Sequence, residues 1–410
     1  MMSIVKKLLD ALEALAARRW VLPLAAVFSM SLVFVQARFH LFSRDVIVDS
    51  YSYYFAARAI SQGLNPYDGD LLERMGQQEY LKPLERFGTQ ENVYPYLYPP
   101  VLAAYWRVFT LLPPLTAHRA VVLMNALLLG VVLWLIAKIV RPARHPHALL
   151  LIFILFQAVN GAAVTSTRAG QVNILLLVFM LVSLYSHLKE KDSLSALFLV
   201  LAILIKITPA LLLAYFVLFY HRRWEYVGWA LLWTFVVVGS SFWLAPPVNW
   251  LYFFQASSAG PPLGAQFSIW GWLSIHGETN AFLYHNKGWL YLGIAVPLLI
   301  LGLWSIKNTP ESERPVYAFA QLMMLSLLLS PLTWHHHYIF FMLPGYYLFA
   351  YHWGKGRRFL TVIFGVLLFL VVFRFPGSLH MIRPIATLLT AILAFRFGRL
   401  LPEATPAPAS

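Results

Sequence analysis

Apolar runs of nearly constant length, one after another, constrain this chain more than any other feature. They lie near 20–41, 116–137, 148–166, 172–188, 226–245, 288–306, 316–331, 338–353, 359–374 and 383–398. A helix needs about 20 apolar residues to cross the hydrocarbon of a bilayer. There, backbone groups must find partners within the protein, and helices do so segment by segment. Of 410 residues, 60% are hydrophobic and 12% charged, against about a quarter charged in soluble domains. No polar block is large enough for a soluble domain. The chain therefore reads as an all-α polytopic membrane protein, one transmembrane domain over 1–401 with a disordered tail, "PEATPAPAS", at 402–410.

Residues 194–220 are ambiguous, because Lys206 and Pro209 interrupt their apolar pattern. They form either one long kinked helix or a tight hairpin with Lys206 at its tip. Excess Lys and Arg gathers on the cytoplasmic side of membrane proteins, and this decides for the hairpin. With it, 18 of the 31 basic residues fall inside, in clusters from Lys6/Lys7 to Arg396/Arg399. About twelve helices follow, in a plasma (inner) membrane with both termini cytoplasmic. Two long loops, 42–115 and 246–287, then face outward. The first carries eight of the 17 acids, is itself rich in basic residues, and ends in an expected surface-lying helix within "YPYLYPPVLAAYWRVFTLLPP". Short loops at 167–173, 206–209 and 330–338 join it on that side.

Composition also excludes. Cysteine is absent, which removes disulfides, thiolate metal sites and cysteine nucleophiles. The net charge of +14 suits loops beside anionic lipid; no basic stretch forms a soluble surface for nucleic acid. The opening "MMSIVKKLLDALEALAARRW" reads as an amphipathic lead into a span, without the small-residue cleavage site of a signal peptide. No internal repeat is visible.

Chemistry-bearing residues gather in the outward loops. Asp45 and Asp49 open a tyrosine-rich stretch; a carboxylate at a lipid boundary is costly unless solvated or partnered. Either could instead cap a helix, and Asp45 could pair with Arg44. Four-residue spacing puts both on one face of a helix or a strand and does not choose between them. Three adjacent histidines, His335–His337, follow Trp334. Neighbours on one helical turn diverge by about 100°, so joint ligation of one metal is disfavoured. They could hydrogen-bond a phosphate or sugar hydroxyl, or belong to an interfacial aromatic belt. Arg168 and Lys206 sit in very short loops, where they either snorkel to the interface or neutralise a phosphate. Gln171 and Asn173, beside Gly170, add neutral hydrogen-bonding groups.

In order along the chain, these elements resemble glycosyltransferase family 87, integral-membrane enzymes of the C-type (GT-C) superfamily. "DSYSYYFAARAISQGLNPY" resembles the family's D-x-x-x-Y-Y-x-A…G-x-x-P-Y opening. "YPP" (98–100), "GQVN" (170–173), K-x-x-P (206–209), "HRRW" (221–224) and "LLSPLTWHHHY" (328–338) follow, the last against S-P-x-S-W-x-H-H. The resemblance covers roughly 45–345. Thr333 stands where the family has Ser, "QFSI" (266–269) matches N-Q-S-[LI] only loosely, and the C-terminal 65 residues carry no alignable motif.

The resemblance implies a polyprenyl-phosphate-linked sugar donor, typically mannose, and inverting transfer on the non-cytoplasmic face to a hydroxyl of a glycolipid or glycan. It places the catalytic acid on Asp49, the histidine pair on His336 and His337 and the loop lysine on Lys206; Arg168, Gln171 and Tyr98 are expected beside them around the donor phosphate and substrate. No cofactor, metal or nucleic acid is expected. A flippase or a ligase of lipid-linked saccharides is the alternative; a transporter would ordinarily show internal repeats and polar groups at the bilayer midplane.

Overall fold

The structure is a computed structural model describing residues 2–38, 49–79, 84–86, 89–91, 93–258, 268–277, 280–331, 333–373 and 382–397. Asp45, two residues of "QFSI" and the C-terminal tail lie outside the described residues.

Helices dominate. In chain order they are α1 (Met2–Ala16), α2 (Val21–Ala37), α3 (Asp49–Ser61), α4 (Gly69–Gln78), α5 (Pro100–Trp106), α6 (Pro114–Ile139), α7 (Pro146–Phe156), α8 (Gly161–Arg168), α9 (Asn173–His187) and α10 (Asp192–Ile205). After these come α11 (Leu213–Phe219), α12 (Arg223–Ser241), α13 (Val248–Ser258), α14 (Ile269–Gly277), α15 (Ala281–Lys307), α16 (Arg314–Leu329), α17 (Met342–Gly354), α18 (Arg358–Val372) and α19 (Ile382–Phe397). Among its described residues the first expected outer loop holds the α-helices α3 to α5. It also holds one feature the sequence reading did not contain, an antiparallel pair β1 (Leu84–Arg86) and β2 (Thr89–Glu91) with Glu85 opposite Gln90.

By length and composition, α6 and α15 can each cross a membrane. Two bent pairs, α1 with α2 at 91° and α8 with α9 at 117°, raise the count to as many as four among the described residues. Several expected spans are divided for local reasons. The run 148–166 breaks at Asn160, whose Oδ1 accepts from the N–H groups of Ala162 and Ala163, each at 3.0 Å, and so caps α8. The run 194–220 breaks where α10 ends at Lys206, which is extended (φ −153°, ψ 128°) ahead of Pro209.

Two compact units divide the chain. The first comprises Met1–Lys138, His145–Pro209 and Trp224–Pro261. Within it α1 is bound to the start of α7 by a carboxylate. Glu13 accepts from Ala148 N–H (2.8 Å), His147 N–H (3.3 Å) and His147 Nδ1 (2.7 Å). It thereby satisfies orphan donors at a helix N-terminus. A buried polar seam joins α9, α10 and α12: Ser195 Oγ lies 3.2 Å from Ser183 Oγ and 3.1 Å from Tyr226 Oη, beside the buried His187–Asp192 pair.

The second unit comprises Ile139–Arg144, Ala210–Arg223 and Pro262–Ser410. Helix α16 forms its centre, with every residue from Tyr317 to Leu328 buried. Phe216 of α11 meets Phe319 edge-on at 5.9 Å. In both units large apolar side chains point outward, including Trp243 and Phe235 of the first and Trp289 and Phe359 of the second. A surface with that much exposed apolar area is suited to lipid.

Candidate active site

Helix α3 organises the site. Its sequence, DSYSYYFAARAIS, is only mildly apolar, yet ten of its thirteen residues are buried. Asp49 stands in its first turn, where the helix dipole favours a carboxylate. One turn on, Tyr53 Oη donates to Gln171 Oε1 at 2.7 Å, and Tyr98 Oη reaches the same oxygen at 3.2 Å. The two phenols are 3.0 Å apart and their rings meet edge-on at 5.0 Å. Burial pushes the Tyr53 phenol well above its ordinary range, with Tyr98 and Asp49 adding to the shift. Burial and Asp49 likewise push Tyr98 up. Both therefore remain protonated.

Tyr98 is held by its own segment. Tyr96 Oη donates to Pro99 O (2.8 Å) and accepts from Ala103 N–H (3.0 Å), folding "YPP" onto the start of α5. Tyr67, the last residue of the G-x-x-P-Y turn, donates to Tyr98 O at 2.7 Å. The tyrosines of these stretches form a packed block.

The turn between α8 and α9 presses directly on α3. Ser50 N–H donates to Ala169 O (3.2 Å), and Ser50 Oγ lies 2.8 Å from His118 Nδ1 of α6. Gly170 has φ 63°, and a Cβ there would come within 2.7 Å of Ser50 Cβ. Only glycine permits both the left-handed backbone and this approach. Asn125 of α6 fixes the turn from the other side, its Nδ2 donating to Gln171 O at 2.8 Å. Arg168 closes α8 half-buried, two residues before Gly170.

Lys206 completes the group. Its Nζ lies 3.4 Å from Asn173 Oδ1 and 5.2 Å from the Tyr98 ring centroid. Burial pushes its ammonium down to about 7, opposed by the Asp49 carboxylate. Thus Asp49, Tyr98, Gln171 and Lys206, drawn from four separated stretches, meet around one turn. The arrangement sets a carboxylate and a cation of tunable charge beside two neutral phenols and an amide. It is equipped to accept a proton and to hold an anion.

His336 and His337 lie in the second unit, buried in a 3₁₀ turn spanning His335–Phe341. Trp334 N–H donates to His337 Nδ1 at 2.8 Å, so neutral His337 carries its proton on Nε2. Thr333 Oγ1 donates to Leu327 O at 2.9 Å, a bond that serine makes equally well. Among the described residues no group of three or more His, Cys, Asp or Glu is arranged to hold a metal ion.

Three features escaped the sequence reading. Tyr53 was seen only as part of a motif, although it bridges α3 to Gln171. His118, inside an apolar run, carried no signal that it would reach Ser50. Arg383 is wholly buried in α19; it donates to Phe373 O at 2.8 Å and acts on Tyr338, the residue after His337. Its signal was an arginine at the start of an apolar run.

Comparison with known proteins agrees with the motif order. The model for "Glycosyltransferase family 87" matches residues 96–331, more than half the chain. A curated relative from Mycobacterium tuberculosis is 25% identical over 304 residues, covering 69% of this chain and 70% of the relative. Its name is polyprenol-phosphate-mannose-dependent alpha-(1-2)-phosphatidylinositol mannoside mannosyltransferase.

Proposed function

The chain belongs to glycosyltransferase family 87, and from that premise we propose that it transfers mannose from a polyprenyl-phosphate lipid to a hydroxyl of a glycolipid, with inversion, on the non-cytoplasmic face of the membrane. The observation that carries this reading is the meeting of Asp49, Tyr98, Gln171 and Lys206 around the turn at 167–173. The donor and acceptor in the relative's name support it. Twelve spans with both termini cytoplasmic, forming one transmembrane domain of the GT-C kind, accord with the apolar runs and the basic clusters.

The donor already carries an anionic leaving group. The acceptor oxygen attacks C1 of the sugar as the bond from C1 to the phosphate oxygen breaks, and the electron pair departs with the phosphate. The acceptor's proton passes to the Asp49 carboxylate, the general base. Positive charge gathers on the ring during the step, and the departing phosphate gains charge that nearby cations stabilise. Lys206 and Arg168 serve it from the first unit. His336 and His337 are assigned to the same phosphate by motif order alone. A single base suffices for inversion, so Asp45 has no required role.

The deciding experiment supplies the purified full chain with polyprenyl-phosphate mannose and a phosphatidylinositol mannoside acceptor. Mannosyl transfer with an inverted anomeric centre is expected. Transfer only from a pyrophosphate-linked oligosaccharide, or movement of donor across liposomes without any transfer, would overturn the reading.

A further inference from the structure

Asn173 stands in the first turn of α9 and is wholly buried. Its Oδ1 faces Lys206 Nζ at 3.4 Å. An ammonium can only donate, so the amide oxygen must take that side and the amide nitrogen the other. That nitrogen, Nδ2, is buried and meets no acceptor among the described residues. Buried donors in folded proteins are nearly always satisfied, and an exception calls for an explanation.

The surroundings indicate what would satisfy it. In a helix the Cα–Cβ bonds tilt toward the N-terminus, so a side chain in the first turn of α9 leans past the helix end. There the backbone presents unpaired N–H groups and the positive end of its dipole. Lys206 adds an ammonium at the same place. The neighbouring phenols direct their protons to Gln171 Oε1. The Asp49 carboxylate acts on Lys206 and both phenols from the α3 side. Donors and positive charge collect at the α9 end, and an oxyanion is the ligand that answers them.

We infer that Asn173 is a donor-binding residue, its Nδ2–H donating to a non-bridging oxygen of the lipid phosphate beside Lys206. The inference rests on the reading of the protein as a polyprenyl-phosphate-dependent transferase and adds to it a residue that selects the phosphate by geometry as well as charge.

Asn173→Asp is the sharpest test, because it keeps an acceptor for Lys206 and suits a helix N-terminus while replacing the free N–H with an oxygen that repels phosphate. Two quantities are read on the full chain in detergent: the Kd for sugar-free polyprenyl phosphate, by tryptophan fluorescence, and the KM values for donor and acceptor. The Kd and the donor KM should both rise at least ~30-fold, as loss of a charge-assisted hydrogen bond together with repulsion requires. The acceptor KM should change by less than about twofold. If Asn173→Asp binds the lipid phosphate as wild type does, the inference falls. A raised donor KM with an unchanged Kd would assign the N–H to the sugar and also overturn it. Should Asn173→Asp not fold, Asn173→Leu removes the N–H at similar volume; an expected Kd increase of ~10-fold supports the inference, and none refutes it. Because the Kd needs no turnover, it separates failure here from failure of the functional reading, which would appear as wild-type protein that binds the lipid but transfers nothing.

Discussion

Helices α3 and α15 reverse what their compositions suggest for a protein in water. Helix α3 mixes three serines, three tyrosines, an aspartate and an arginine with five apolar residues, and ten of its thirteen residues are buried. Helix α15 runs for 27 residues of largely apolar sequence and exposes Phe282, Trp289, Leu292 and Ile300 among others. The helix denser in hydrogen-bonding side chains is enclosed, and the more apolar one turns large apolar side chains outward. In lipid this is the economical arrangement, because apolar side chains lose nothing by facing hydrocarbon while a polar group there must find a partner. Polarity in α3 is thus a sign of interior function, and hydrophobicity in α15 a sign of surface.

Mutations can break that contrast or sharpen it, and the largest effect belongs to Asp49. Replacing it by Asn keeps the shape and removes the base; transfer should fall by about 10³-fold with donor Kd near wild type. Normal turnover by folded Asp49→Asn would reduce the α3 carboxylate to a structural group. Lys206 comes next. Lys206→Met should raise donor KM by about 10²-fold, the loss of one charge-assisted contact to phosphate.

Its pH dependence has a definite sign. Lys206, held at about 7 by burial against the pull of Asp49, is charged below that pH and neutral above it. Since kcat/KM reports the free enzyme, its value for the donor should fall as pH rises through about 7. Lys206→Arg stays charged throughout this range and should flatten that limb; an unchanged limb would assign the titration to another group.

Gly170→Ala is smaller. The left-handed φ and the 2.7 Å approach to Ser50 should together cost about 2 kcal/mol, seen as a lower midpoint of thermal unfolding in detergent. Trp289→Ala on α15, 77% exposed, should stay within about 0.5 kcal/mol of wild type. A Trp289 effect exceeding that of Gly170 would mean that the outward face of α15 is covered by something other than lipid.

Much of this was legible in the sequence because membrane constraints are strong. Apolar runs announced helices, and the ordered motifs named the family. Lys206 interrupting an apolar run marked the end of α10, and Gly170 followed by Gln171 and Asn173 marked the turn at the site. What stayed illegible depends on tertiary partners. Nothing local says that Ser50 will meet His118 across 68 residues of sequence, or that Tyr53 and Tyr98 will share one amide oxygen. Asn160 gave no warning that it would cap a new helix inside an apparent span. Asn appears equally in loops and caps, and only its neighbours' N–H groups decide. Arg383 was read past because one charge hardly alters the average of an apolar window, although its burial is the costly fact.

The right angle between α1 and α2 has a mechanical side. Two helices at 91° cannot both follow the membrane normal, so when the apolar α2 stands upright the amphipathic α1 lies flat, like an outrigger beside a hull. Such a float resists both sinking and lifting. Glu13 lashes the float to the frame at His147 and Ala148. Anything that tilts α1 must first detach that carboxylate, so the pose of α1 and the footing of α7 are set together.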